Sequence, residues 1–444
     1  MKRRTFIKKS SLTGLGIASI GIMGANRKDP FTKGLRVNGQ RIERRIGELA
    51  KFGRDEHGKG NRVAYSQGDI EGRKWFIQLM KNAGLETTID SGGNIIGRRK
   101  GKDNTLKPIA FGSHIDMVPD GGDYDGPLGS LAALEVIEIL NENNLVTAHP
   151  LEVIIFANEE GGTFGSKAMV GKLSNESLNL TSQRGLTLAE GIKAIGGDPD
   201  NLQSSIRKKG DLRAFLELHI EQGGILDNED IQIGVVEGIV GIQQWDVTVE
   251  GFANHAGTTP MNLRKDALLS AAKLIMACNE VITSHDGKQV GTVGKIDTHP
   301  GAYNVIPGKA AFGLEIRDLS PEKIQALYDE IENRAATIAA ADGTSITFEQ
   351  VLDMSPAMSN KAIQEETINS AKALGLSYKP MQSGAGHDAQ QMATIAPMGM
   401  IFVPSVDGIS HSPKEFTKAE DMENGANVLL QTVLAIDNDS EARH

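Results

Sequence analysis

Residues 151–157 (LEVIIFA) are apolar at every position but one, and a strand of that kind tolerates water on neither face. It therefore demands cover on both sides, which predicts an α/β architecture with helices flanking a largely buried sheet. Residues 108–111 (PIAF) and 214–219 (AFLELH) also read as strands. All three lead into side chains of the kind that bind cations. The first runs into Gly112-Ser113-His114, the second into Asn158-Glu159-Glu160, and the third ends on His219, just before Glu221-Gln222. Open α/β sheets gather their ligands at the carboxyl edge of the strands. Two adjacent carboxylates just past a buried strand are costly unless something cationic meets them.

The loop that follows the first strand is the densest of these segments. Residues 112–129 read GSHIDMVPDGGDYDGPLG and hold His114, Asp116, Asp120, Asp123 and Asp125. Imidazole with carboxylate is a ligand set that Zn, Mn, Co or Ni accepts. Taken alone, the loop reads equally well as a solvated turn, since Asp and Gly are ordinary turn residues. Cys278 is the only cysteine, so a thiolate site and a disulfide framework are both excluded. A net charge of −10 without a basic patch argues against a nucleic-acid partner.

A length of 444 residues suggests two or three domains. Residues 1–30 read as a targeting segment: Lys2-Arg3-Arg4 precedes an apolar stretch, residues 12–24, too short to span a bilayer stably. Paired arginines before a weakly apolar stretch resemble a twin-arginine export signal, which predicts an exported, periplasmic protein with no stable membrane insertion of the mature chain. From residue 38 helices and strands alternate through residue 242. Residues 243–354 then change character, with strands expected at 243–250, 289–297, 310–317 and 345–352 and helices at 263–284 and 321–340. That β-α-β-β-α-β order is the ferredoxin-like pattern and predicts an inserted small domain. Residues 355–444 return to the first unit with helices at 360–373 and 418–436 around a strand at 396–403. The run Arg207-Lys208-Lys209 reads as solvated surface, and Cys278 as core packing.

Eight segments in order, GSHIDMVPDGGDYDG, ANEEGGTFGSK, ELHIEQG, GFANHAGTTPMNLRKDA, PGAYNVIPG, LEIRD, SGAGHDA and FVPSVDGISHSPKE, resemble the hydantoinase/carbamoylase branch of the M20 metallopeptidase superfamily. That branch contains N-carbamoyl-L-amino acid amidohydrolases, allantoate amidohydrolases and β-ureidopropionases, and the resemblance spans residues 42–430. It implies a metallopeptidase-like catalytic domain with a mixed sheet, plus the inserted domain as lid and dimerisation unit. It implies two divalent ions, one held by His114, Asp125 and His219, the other by Asp125, Glu160 and His411, with Asp125 bridging. Asp116 would orient His114, and Glu159 would act as general base, taking a proton from the attacking water and passing it to the leaving nitrogen.

The same resemblance places substrate contacts. Arg317 would clamp a carboxylate, Asn304 and Gln222 would add amide contacts, and His255 would stabilise negative charge at the scissile carbonyl. Gly384 and Gly386 would offer backbone N–H groups, and His387 is expected to be structural. The implied partner is a small ureido or carbamoyl carboxylate, and the implied assembly is a homodimer through the inserted domain. Two rival readings share parts of this pattern: an aminoacylase or dipeptidase of the wider superfamily, and a non-catalytic binding protein. Many family members carry Arg where this chain has Thr163.

Overall fold

The computed structural model describes residues 34–55, 59–181 and 185–438. The export segment expected at residues 1–30 lies outside them. In chain order the strands are β1 (Glu86–Ile89), β2 (Ile95–Arg99), β3 (Ile109–His114), β4 (Leu151–Phe156), β5 (Ala214–Ile220), β6 (Ile233–Ile239), β7 (Gly241–Glu250) and β8 (Asn254–His255). They continue as β9 (Val290–His299), β10 (Val305–Ile306), β11 (Lys309–Asp318), β12 (Ser345–Met354), β13 (Ala357–Met358), β14 (Tyr378–Ser383) and β15 (Met398–Val403).

Nine strands build one mixed sheet in the order β1-β2-β4-β3-β5-β15-β6-β13, with β14 also on β6. Its centre, β4-β3-β5-β15, is parallel throughout. Alternation sorts these strands into two cores. Ile109, Phe111, Val153, Ile155, Leu216 and Leu218 face one side, covered by helices Gly39–Leu49, Pro127–Glu142 and Ala419–Asn438. Ala110, Ile154, Phe156 and Phe215 face the other, with Met169, Ala389 and Met392. Each fully buried aliphatic or aromatic side chain contributes about 1.5–3 kcal/mol, so the double cover is what makes LEVIIFA affordable as a strand. Its one charge is paired: Glu152 takes Arg98 at 2.7 Å and Arg207 at 2.5 Å. Arg207 thus departs from the solvated surface expected of residues 207–209, because a buried carboxylate on β4 recruits it.

Parallel order has a consequence for the site. The carboxyl ends of β3, β4, β5 and β15 lie along one edge, so His114, Glu159–Glu160, His219 and the 404–411 loop emerge side by side. Helix Pro127–Glu142 starts directly behind this edge. A Cβ at Gly126 would meet the His114 imidazole at 2.3 Å and one at Gly129 the Leu218 carbonyl oxygen at 2.0 Å, so both glycines let the helix seat against the sheet.

The second sheet is antiparallel, ordered β12-β7-β11-β9, with helices Ala267–Ser284 and Pro321–Asp342 on one face. This is the strand order of a ferredoxin-like fold. Trp245, Val247, Phe312, Leu314 and Ile316 pack with Cys278, Leu274 and Ile331 in a core of its own. Helix Ala267–Ser284, long and apolar enough by composition to cross a membrane, packs its buried face into this core instead. Its start differs from expectation: a 3₁₀ turn at Met261–Leu263 precedes it, and Asp266 caps it from Leu268 and Leu269 N–H. Strands β6 and β14 were not legible. Gly234, Gly238 and Glu237 interrupt the apolar pattern of β6, and β14 carries Pro380 and mostly polar residues.

Between β4 and helix Phe164–Met169 the chain turns sharply, with Asn158 at φ 52° and Thr163 at φ 54°. For a β-branched residue the left-handed region is strained, whereas Asn tolerates it. We expect Thr163→Asn to stabilise the folded protein by about 1 kcal/mol, read as a higher denaturation midpoint at unchanged slope.

Candidate metal centre

Five of the predicted side chains converge. The ligand-type atoms of His114, Asp125 and His219 lie within 4.8 Å of one another, and so do those of Asp125, Glu160 and His411. Asp125 belongs to both sets and presents a different oxygen to each. Its Oδ1 is 3.1 Å from His219 Nε2 and 3.6 Å from His114 Nε2, while its Oδ2 is 3.3 Å from His411 Nε2. Glu160 Oε2 stands 3.5 Å from that same His411 nitrogen. Two other acids of the loop pair with cations instead, Asp120 with Lys59 at 3.4 Å and Asp123 with Arg54.

The imidazoles are set up as ligands. His114 Nδ1 donates to the Asp116 carbonyl at 3.1 Å and His219 Nδ1 to the Ile220 carbonyl at 2.9 Å, which leaves each Nε2 lone pair facing Asp125. His219 Nε2 is buried and makes no hydrogen bond. A buried, unpartnered ring nitrogen beside a buried carboxylate is poor protein interior but a suitable half of a cation site. Charge tells the same story. Burial alone would push the Asp125 carboxyl up, yet the His219, His114 and His411 imidazoles pull it well below the usual range. The same contact with Asp125 raises His411 to about 9. Burial, with Asp125 nearby, lifts Glu160 to about 7. A cation replaces the protons that such a cluster otherwise holds, so the donor set fits divalent metal.

Asp116 acts on the centre through two different groups. Its carbonyl, not its carboxylate, orients His114; the carboxylate stands 3.7 Å from Nδ1. The carboxylate instead receives the backbone N–H of Glu159 at 3.3 Å and of Glu160 at 3.2 Å. It therefore fixes the turn that presents both glutamates. Glu159 is 9% exposed, with Oε2 3.8 Å from His114 Nε2. Burial, helped by Asp388, Glu160 and Asp116 and opposed by His114, holds its carboxyl well above the usual range.

Of the predicted substrate residues, two touch each other. Arg317 lies on the uncovered face of β11, where Nη1 donates to the Gly384 carbonyl at 2.6 Å and Nε to Glu315 at 2.7 Å. Gln222 reaches the centre itself: Nε2 donates to Asp125 Oδ2 at 2.6 Å, and Oε1 is buried without a partner. His255 is exposed on β8, its Nδ1 accepting from Gly257 and Thr258 N–H at 3.0 and 3.2 Å. Its Nε2 consequently carries the proton. Arg264 braces that turn through the Ala256 and Thr259 carbonyls at 2.5 and 3.1 Å. Asn304 is exposed and its carbonyl accepts from Ala256 N at 2.9 Å. No described hydrogen bond or ion pair joins His255 or Asn304 to the metal ligands. A Cβ at Gly384 would meet nothing within 4 Å and one at Gly386 only Gln390 at 3.5 Å, so neither glycine is demanded by the chain's own packing. His387 is buried, bonded at 3.0 Å to Ser383 Oγ, with its ring edge-on to His219.

Two side chains escaped the sequence reading. Buried Arg62 donates to the Ile115 carbonyl at 2.6 Å and to the Leu49 carbonyl at 3.0 Å, pinning the segment between His114 and Asp116. Glu415 joins the two ligand loops. Oε1 accepts from Tyr124 and Asp125 N–H at 2.9 and 3.0 Å, and Oε2 from His411 N–H at 3.2 Å. Ser410 Oγ sits 2.9 Å from both Glu415 Oε2 and Asp125 Oδ2. The glutamate was in view within the HSPKE segment, but no spacing rule marks an acid four residues past a ligand. Glu415→Gln, which swaps an acceptor for a donor against those N–H groups, should weaken metal binding by about 10–100-fold, measured by competition with a chelator.

Comparison with known proteins bears on this geometry. A profile of peptidase family M20/M25/M40 matches residues 110–435. The chain is 40% identical over 404 residues to an N-carbamoyl-L-amino acid amidohydrolase of Geobacillus stearothermophilus, covering 89% of this chain and 98% of that one. It is 35% identical over 396 residues to an allantoate amidohydrolase of Escherichia coli K12, covering 88% and 96%. The crystal structure of a hydantoinase/carbamoylase family amidase from Burkholderia multivorans superposes with a TM-score of 0.86 at 36% identity, covering 91% of this chain and 99% of that one. A shared edge of ligand-bearing strands and near full-length similarity lead to one conclusion: the chain belongs to peptidase family M20/M25/M40, in its hydantoinase/carbamoylase branch.

Proposed function

We propose that this protein is a metal-dependent amidohydrolase that cleaves the carbamoyl or ureido C–N bond of a small carboxylate. The observation that carries the reading is Asp125 shared between two ligand sets, with a buried Glu159 beside them. It is supported by relatives named as N-carbamoyl-L-amino acid and allantoate amidohydrolases. His114, Asp125 and His219 would hold one divalent ion and Asp125, Glu160 and His411 a second. When bound, such ions polarise a carbonyl and bring the pKa of water toward neutrality.

The chain's own residues do the rest. Glu159 takes a proton from the attacking water and returns it to the departing nitrogen; a carboxyl held above its usual range is suited to carrying that proton. Asp116 keeps Glu159 in place through its backbone N–H. The His255 Nε2–H is a free donor for charge developing on the scissile oxygen, and Arg317 offers a planar fork for the substrate carboxylate. Hydrolysis of an N-carbamoyl amino acid then yields the amino acid, CO2 and ammonia. Ammonia release from N-carbamoyl amino acids, 3-ureidopropionate and allantoate by the Mn-supplied protein tests the reading. Glu159→Gln should keep its metal and lose about 10²–10⁴ in kcat, whereas Glu160→Gln should lose metal. Metal retained by the second variant and lost by the first would reverse the two roles.

The inserted unit supplies His255, Asn304 and Arg317, and we read it as a lid that is also a dimerisation surface. Helix Ala267–Ser284 exposes Leu269 and Met276, and edge strand β9 exposes Val290 and Ile296, an apolar set that pairing would cover. Exchange between Glu159→Gln and His255→Ala chains should restore activity if His255 serves the neighbouring site. A monomer in sedimentation would sink the dimer.

A further inference from the structure

Directly beside the Glu160 side of the centre lies a cavity of about 290 Å³. One end is polar and belongs to the centre: Asp116, Asn158 and Glu160 line it. Beyond them the walls are mostly carbon, with Val63, Ala64, Phe164 and Leu188, and Thr181 brings a single hydroxyl. At the rim Leu180 is 54% exposed, whereas Leu188 behind it is 2% exposed. An exposed leucine on an apolar hollow that adjoins reactive groups is unlike ordinary packing, where such a hollow closes.

Substrate chemistry suggests what fills it. In an N-carbamoyl α-amino acid the side chain starts three bonds from the scissile carbonyl carbon. A substrate whose carbonyl sits at the centre thus reaches the adjoining wall with that side chain. The second ureido group of allantoate would bring several N–H donors and a carbonyl to the same wall, where Thr181 alone cannot partner them all. Resting on the amidohydrolase reading, we infer that this cavity is the side-chain pocket and that the preferred substrates are N-carbamoyl α-amino acids with apolar side chains of leucine or phenylalanine size. Val63, Ala64, Phe164, Leu180 and Leu188 set that preference, and Asn158 marks its polar limit.

The test is a kcat/KM series on the full-length, Mn-supplied protein with N-carbamoyl-glycine, N-carbamoyl-leucine, N-carbamoyl-phenylalanine and allantoate. Filling an apolar pocket should place leucine and phenylalanine about 10–200-fold above glycine, with allantoate lowest. Ala64→Leu, which narrows the pocket, should cut the leucine-to-glycine ratio by about 10-fold or more. Leu180→Asp, on the exposed rim and so harmless to folding, should cut it in the same direction. Glycine equal to leucine, allantoate as the best substrate, or an unchanged ratio in both folded variants would overturn the pocket while leaving the amidohydrolase reading intact. No ammonia from any of the four would overturn both.

Discussion

The Asp125 carboxylate is the contact on which the site depends. A buried anion is costly unless paired, and this one is offered three imidazoles, two on one oxygen and one on the other. Those imidazoles come from three different segments, the ends of β3 and β5 and the loop after β15. Asp125 therefore does more than ligate: it ties the end of β3 to the end of β5, two strands whose backbone pairing stops at Phe111. Its own position is fixed by Glu415, which accepts its N–H, and by Gln222 and Ser410, which face its Oδ2.

The glutamate pair shows how adjacent, chemically equal residues acquire different tasks. Glu159 and Glu160 leave β4 through a turn with left-handed residues at both ends, Asn158 and Thr163. The turn aims Glu160 at His411 and Glu159 toward His114. Both backbone N–H groups converge on the Asp116 carboxylate, so a single buried acid fixes two side-chain directions. Strain at Thr163 is tolerated because the parallel sheet behind it leaves the turn few alternatives.

The two sheets meet chemically at Arg317 and Gly384. Alternation along β11 buries Ile316 under the helices and turns Arg317 to the opposite face, where it reaches the 384 carbonyl of the first unit. Lys288 adds to this seam, its Nζ donating to Glu237 at 3.1 Å and its carbonyl accepting from Gln382 at 2.8 Å. Exposed His255, with Arg264 bracing its turn, is presented from the same unit.

Sequence alone determined the class of fold, the strand-end placement of ligands and the five metal-binding candidates. Apolar runs report burial on both faces, and eight ordered motifs report ancestry. It picked Asp125 over Asp120 and Asp123 only through the resemblance; by spacing the three aspartates look alike, and the fold shows Lys59 and Arg54 claiming the other two. Nor could it find Arg62 or Glu415, whose roles depend on carbonyls and N–H groups brought close from distant segments. It named Asp116 as the residue that orients His114 but not the group that does so, because backbone direction after β3 decides which oxygen faces the ring. The apolar hollow beside Glu160 draws on residues from 63 to 188 and has no linear signature. Patterns local to one element survive in a sequence; contacts closed across the sheet exist only once the chain has folded.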